Sequence, residues 1–202
     1  IVTAIYDIPV GEVWTKERIA ALKQSIEDAG LKFEVVESLP VSEEIKLGTE
    51  KRDQLIENYK TSLINLAENG VKTVTYNFMP VFDWTRSQLD YDLSDGSNTL
   101  IYNHDQIKDI DPLTTNLNLP GWDESYSREE MNQLITSYRE TSDEQLWDNL
   151  KYFLDAVLPT AIEHDVDLAI HPDDPPWPIF GIPRIIKNKE SYERLLAISN
   201  DT

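Results

Sequence analysis

The sequence predicts an α/β protein whose residues supply about half of a (β/α)8 TIM barrel. Three observations carry that expectation. Short apolar runs rich in β-branched residues alternate with longer stretches of helical periodicity, four times over, which calls for parallel strands joined by right-handed crossovers. The first such run is followed by Ile8-Pro9-Val10-Gly11, with one Gly where the phosphate turn of a doubly wound dinucleotide fold needs three. The chain has 202 residues, whereas a barrel of eight units takes about 250 or more.

The elements follow in order. Ile1 to Asp7 reads as a strand, and the turn after it leads to a helix that Thr15 can cap, with Ile19, Leu22 and Ile26 on one face and Gly30 at its end. Lys32 to Ser38 reads as the second strand. A second helix is predicted from about Glu50 to Asn69, with Leu55, Ile56, Tyr59, Leu63 and Leu66 on one face and Gly70 as its stop. Val71 to Phe78 is the third strand. From Met79 to Thr141 the rhythm breaks: prolines at 80, 112 and 120, Asp95-Gly96 and several aromatics leave only a weak helical patch near Arg128 to Arg139. A stretch of that length without periodicity is expected to be a loop insertion at about 79–141, serving as a lid or wall over the carboxyl ends of the strands. Ser142 with Gln145 forms a capping box for a third strong helix, carrying Leu146, Leu150, Phe153, Leu154 and Val157, in which Pro159 predicts a kink or an early end. Val166 to His171 is the fourth strand, and a fourth helix with Leu195 and Leu196 starts near Asn188.

Four units leave two open sheet edges, so residues 1–202 are expected to form a single partial barrel domain that does not close by itself. The opening Ile1-Val2-Thr3-Ala4-Ile5-Tyr6, without Met, reads as the middle of a buried strand, and further residues are expected before it.

Composition narrows the function classes. The 37 acidic residues against 18 Lys and Arg give a net charge of −19, which repels phosphate backbones and anionic lipid. Nucleic acid is excluded as an expected partner. An anionic small substrate would need local cations or a metal to reverse that field. The absence of Cys fits a cytoplasmic location and removes thiolate ligands from these residues; no apolar run is long enough to cross a membrane.

Chemistry in either parallel architecture sits at the carboxyl ends of the strands, which directs attention to Tyr6 and Asp7, Glu37 and Ser38, Tyr76 to Phe78, and His171 to Asp174. The run Ala169-Ile170-His171-Pro172-Asp173-Asp174-Pro175-Pro176-Trp177 places an imidazole at a strand end, followed by two carboxylates on a backbone stiffened by prolines. His171 reads as a metal ligand with Asp173 or Asp174 tuning the ion or touching substrate, or else as a His closing a strand beside an Asp pair that caps a turn. Along the strand, Ala169 and His171 are expected to share the inner face while Leu168 and Ile170 pack under helices. His164 is expected to be solvated at a frayed helix end, and His104 is left undecided. In the second dense patch, Tyr76 to Arg86, Asn77 can hydrogen-bond a polyol hydroxyl and Arg86 can hold a carboxylate through two nitrogens, whereas Tyr76 or Phe78 reads as core. Glu37 reads equally as a base, as a group behind a metal's ligands, or as a cap for the next turn.

Taken together, the two patches resemble the D-mannonate dehydratase family. The resemblance rests on His171-Pro172-Asp173-Asp174-Pro175-Pro176, on Ile179-Phe180-Gly181-Ile182-Pro183-Arg184-Ile185 and on Tyr76 through Thr85. Pro9 through Trp14, Val36-Glu37-Ser38 and Ile45-Lys46 support it in the same order. It implies a xylose-isomerase-like barrel, a homodimer, that removes water from D-mannonate to give 2-keto-3-deoxy-D-gluconate in hexuronate catabolism, with Mn2+ or Fe2+. It also implies that His171 holds the metal together with a Cys, a second His and an Asp from later strands, none of which has a counterpart here. The general acid and base are not legible in these residues. Two rivals stay open beside it: another metal-dependent sugar isomerase or epimerase on the same barrel, and a non-catalytic acidic interaction domain.

Overall fold

The structure, a computed structural model, describes residues 1–114 and 126–200; the part of the expected insertion at 115–125, with Pro120, lies outside them. The chain divides into two compact units. The first comprises Ile1–Phe78, Trp147–His171 and the helix from Lys189; the second comprises Met79–Leu146 and Pro172–Asn188.

The first unit is a parallel sheet covered by helices. Its strands are β1 (Val2–Thr3), β2 (Val35–Val36), β3 (Thr73–Tyr76) and β6 (Asp167–Ile170), in the order β1-β2-β3-β6. Every neighbouring pair is parallel, with Val2 opposite Val35, Val36 opposite Val74 and Tyr76 opposite Ile170. Consecutive strands thus lie side by side, as the alternating pattern requires. Regular pairing is shorter than expected, two residues in place of Ile1–Asp7 and two in place of Lys32–Ser38. Single bonds extend it: Glu37 N donates to Thr3 O (3.0 Å) and Leu39 N to Thr75 O (3.0 Å).

Helices α1 (Lys16–Asp28), α3 (Arg52–Glu68), α6 (Asp143–Glu163) and α7 (Lys189–Asn200) match the predicted ones. Thr15 caps α1 by accepting from the Arg18 amide, as its position before the periodic run dictates. The apolar stripe of α3 buries Ile56, Tyr59, Leu63 and Leu66. Phe153 of α6 fills the space between α3 and β3: its ring lies 5.0 Å from Tyr59, 5.9 Å from Tyr76 and 6.0 Å from Phe78. Truncating such a fully buried ring removes roughly 3–5 kcal/mol of stability. Pro159 does not end α6, which runs on to Glu163, so the early end expected there does not occur. The ring removes one backbone donor, while buried Leu154, Val157 and Ala161 hold the turns around it.

A short helix, α2 (Glu43–Leu47), was not anticipated from the sequence. It contains a buried ion pair, Lys46 Nζ to Glu43 Oε1 at 2.8 Å. Gly48 ends it at φ +69°, and a Cβ there would stand 2.6 Å from Asn149 Oδ1, whose amide nitrogen donates to the Lys46 carbonyl (2.8 Å). Backbone conformation and space both require glycine at this position.

The second unit corrects the expectation of an irregular segment. It holds an antiparallel hairpin of β4 (Gln88–Asp92) and β5 (Asn98–Ile101), a single helical turn α4 (His104–Ile107), and α5 (Arg128–Arg139). The hairpin turn is closed by Asp95, whose carboxylate accepts from the amide and hydroxyl of Ser97. Helix α5, expected only as a weak patch, starts on a complete capping box formed by Ser127 and Glu130 and buries Ile135 and Tyr138. Arg139 at its end reaches Asp111 (2.9 Å) and the Phe180 carbonyl (2.8 Å). Buried Arg184 donates to the Phe82 carbonyl (2.9 Å), and Phe82 packs edge-on against Phe180 at 5.8 Å.

Candidate functional site

Within the first unit, the strands bring three of the expected residues to one edge of the sheet. His171 follows β6, and its amide donates to the Tyr76 carbonyl (2.7 Å), which extends the β3–β6 ladder by one bond. Ala169 and His171 are exposed while Leu168 and Ile170 are partly buried, so the imidazole lies on the face opposite the helices, as strand alternation demands. Asn77 follows β3 and is half-buried; Glu37 follows β2 and is exposed. Tyr76 points the other way, toward Phe153. Burial pushes the Tyr76 hydroxyl well above the ordinary tyrosine range, and that of Tyr59 likewise, which leaves both neutral and unsuited to act as bases.

At the first strand end, Asp7 is tied to α1: Arg18 donates to it through Nε (3.1 Å) and Nη2 (2.7 Å). The Arg18 guanidinium holds the Asp7 carboxyl below its usual range. His164 is half-buried beyond the end of α6, and His104 is exposed at the start of α4.

Within the second unit, the two aspartates of the His-Pro-Asp-Asp run do different things. Asp173 is 3% exposed and locked to the Ile186 backbone, its amide donating to the Ile186 carbonyl (2.9 Å) and its Oδ2 accepting from the Ile186 amide (2.8 Å). Asp174 instead takes both terminal nitrogens of Arg86, Nη1 to Oδ1 at 3.0 Å and Nη2 to Oδ2 at 2.8 Å. Arg86, read from the sequence as a partner for a carboxylate, therefore already holds one. Trp84 lies with its ring centroid 5.3 Å from the guanidinium carbon.

Sequence reasoning missed a third cluster in this unit. Trp177 Nε1 donates to the Tyr102 hydroxyl (3.2 Å), which stands 2.9 Å from His104 Nδ1, and the Tyr102 and Trp177 rings are 5.6 Å apart. The available signal was Trp177 itself, next to the proline-stiffened run. Thus the segment from Trp84 to His104 is joined twice to the segment from Asp174 to Trp177, once by charge and once by aromatic contact.

Among the described residues, no group of three or more His, Cys, Asp or Glu side chains is placed to hold a metal ion. Among the described residues, the donors at the sheet edge are the His171 imidazole and the Glu37 carboxylate. These are too few for a four- to six-coordinate divalent ion, so they fit one only as part of a larger ligand set.

The fold defines a parallel α/β chain, a class in which chemistry sits at the strand carboxyl ends, and an imidazole, an amide and a carboxylate stand at those ends here. The comparison with known proteins is specific. A family model described as D-mannonate dehydratase (UxuA) matches residues 1–202. The chain is 71% identical over 200 residues to a mannonate dehydratase of Oceanobacillus iheyensis, covering 99% of this chain and 57% of that protein. It is 57% identical over 198 residues to mannonate dehydratase 2 of Halalkalibacterium halodurans, again 57% of the relative's length. The crystal structure of mannonate dehydratase from Streptococcus suis serotype 2 superposes with a TM-score of 0.88 at 50% identity, over 98% of this chain and 53% of that one. The chain belongs to the D-mannonate dehydratase family, and it spans little more than half the length of these relatives.

Proposed function

We propose that this chain is part of a metal-dependent hydro-lyase that converts D-mannonate to 2-keto-3-deoxy-D-gluconate and water, with its parallel strands forming half of a xylose-isomerase-like (β/α)8 barrel. The observation that carries the reading is the position of His171, exposed at the carboxyl end of β6, in a chain that matches mannonate dehydratases along its whole length. His171 serves as one ligand of Mn2+ or Fe2+, with the others supplied by strands outside these residues. Bound there, a divalent ion would supply Lewis-acid stabilisation of negative charge on the substrate's oxygens.

The chain's own residues bind and orient. Asn77 offers an amide to a substrate hydroxyl, and Glu37 stands at the same sheet edge as a candidate proton carrier or as a partner for the ion's ligands. Asp173 braces the loop that follows His171 through its two backbone bonds to Ile186, and Arg86 holds Asp174 through both terminal nitrogens. Among the described residues no helix is long and apolar enough to cross a membrane, and the reading carries with it a cytoplasmic homodimer acting on a small sugar acid.

The test is product analysis on the full-length protein with D-mannonate and Mn2+. The expected product is a 2-keto-3-deoxy acid formed with loss of water. An isomerised or epimerised sugar with no loss of water would replace this reading with the isomerase one, and no turnover together with no Mn2+ uptake would favour an interaction domain.

A further inference from the structure

Glu37 differs from the other acid at the carboxyl edge of the parallel sheet in being left without a counter-charge. Asp7, at the neighbouring strand end, is held by Arg18 through Nε (3.1 Å) and Nη2 (2.7 Å). Glu37 is exposed, and among the described residues its carboxylate has no hydrogen-bond or ion-pair partner.

Strand pairing fixes the face on which it stands. Val36 and Val74 lie opposite each other and are fully buried, on the side of the sheet where Tyr76 meets Phe153 of α6. Glu37 and Thr75, the next residue on each strand, therefore turn to the other side, where Thr75 lies opposite Ala169. Two residues further on, Asn77 and His171 share that side, and the His171 amide bond to the Tyr76 carbonyl keeps their strands paired there. Because β3 lies between β2 and β6, Glu37 sits about 10 Å across the sheet from His171 and about 7 Å nearer the amino ends of the strands. All of these residues belong to one compact unit.

Charge gives this edge a direction. A second carboxylate brought against Glu37 is repelled, and in a chain of net charge −19 no distant excess of cations offsets the repulsion. Hydroxyls are the opposite case, since an ionised carboxylate only accepts, and its two oxygens can take hydrogens from neighbouring carbons of a polyol. A sugar acid lying across β6, β3 and β2 is therefore favoured in one of its two orientations.

We propose that Glu37 binds the hydroxyls of the sugar-acid substrate that are distal to its carboxylate, so that the acid end lies toward His171 and Asn77 and the hydroxyl tail toward β2. The proposal rests on the reading above that the substrate is a sugar acid bound at His171. It makes Glu37 a group that selects for the tail and sets the direction of binding.

The experiment measures, by calorimetry, the binding of D-gluconate and of glycolate, an acid without the tail, to the full-length protein loaded with Mn2+. Wild type is compared with Glu37→Ala, and metal content per subunit is measured for both. The expected result is D-gluconate binding weakened about 10- to 100-fold, with glycolate binding within about threefold of wild type and metal content unchanged. Equal weakening of both acids, weakening of neither, or a loss of metal overturns the proposal. Should the variant not fold, or an acid bind too weakly to measure, the crystal structure of the wild-type full chain with D-gluconate decides the same question. Hydroxyl oxygens at about 3 Å from the Glu37 carboxylate, with the ligand's own carboxylate on the His171 side, support the assignment. A ligand carboxylate turned toward Glu37, or no hydroxyl near it, overturns the assignment. Wild type that turns over D-mannonate while Glu37→Ala keeps its affinity for D-gluconate defeats this inference alone. Wild type that fails to turn over D-mannonate defeats the functional reading, and the D-gluconate structure still judges Glu37.

Discussion

Arg86 and Asp174 show what single residues reveal and conceal. Each stands out in the sequence, the one as a fork for carboxylates and the other as part of a stiff acidic run, but they are 88 positions apart and nothing in the linear order pairs them. The Tyr102–Trp177 contact, across 75 positions, was hidden for the same reason. By contrast, the shared face of Ala169 and His171, opposite Leu168 and Ile170, followed from alternation along one strand, a local property that short-range pattern carries. The ion pair of Asp7 with Arg18 gives a prediction at this scale. Because Arg18 depresses the Asp7 pKa in the folded state, the pair contributes stability above the unfolded carboxyl value and loses it as pH falls through the folded one. Arg18→Gln should bring Asp7 back toward about 3.9 in an NMR titration of its side-chain carboxyl. An unchanged Asp7 titration in the variant would show that the pair does not persist in solution.

Elements were legible where capping and periodicity agreed. Ser142 and Gln145 do form the expected box at the start of α6, with the Gln145 amide 3.2 Å from Ser142 Oγ and the Ser142 amide 2.9 Å from Gln145 Oε1. The β4–β5 hairpin was missed although its signal was present: Leu89, Tyr91 and Leu93 alternate before Asp95-Gly96, a strong turn dipeptide. Those side chains are exposed, so the strands lack the buried face that makes alternation persuasive, and the surrounding prolines suggested irregularity. Helix α2 was too short for periodicity to show. Two substitutions test this level. Ser127→Ala removes the α5 cap and should cost about 1 kcal/mol, seen as faster amide hydrogen exchange in the first turn of α5; unchanged exchange there would argue against the cap. Gly48→Ala places a Cβ against Asn149 in a left-handed backbone and should destabilise by roughly 1–3 kcal/mol in thermal or denaturant unfolding, whereas a neutral effect would mean that the α2 to α6 contact yields easily.

At the scale of the whole molecule, the parallel sheet and its sequential strand order were readable because each strand and its following helix form a local unit with fixed handedness. The two-unit organisation was not readable, since it depends on how residues 172–188 pack with residues 79–146 across a long stretch of chain. The candidate site was legible in its strand-end positions and not in its partners. The central claim is that His171 holds the ion on which dehydration depends. The measurement that tests it most directly is the Mn2+ content and D-mannonate turnover of the full-length protein carrying His171→Ala. An exposed strand-end residue contributes little to the core, so the variant should melt within a few degrees of wild type while binding little metal and losing turnover. A variant with wild-type metal content and wild-type turnover would contradict the account.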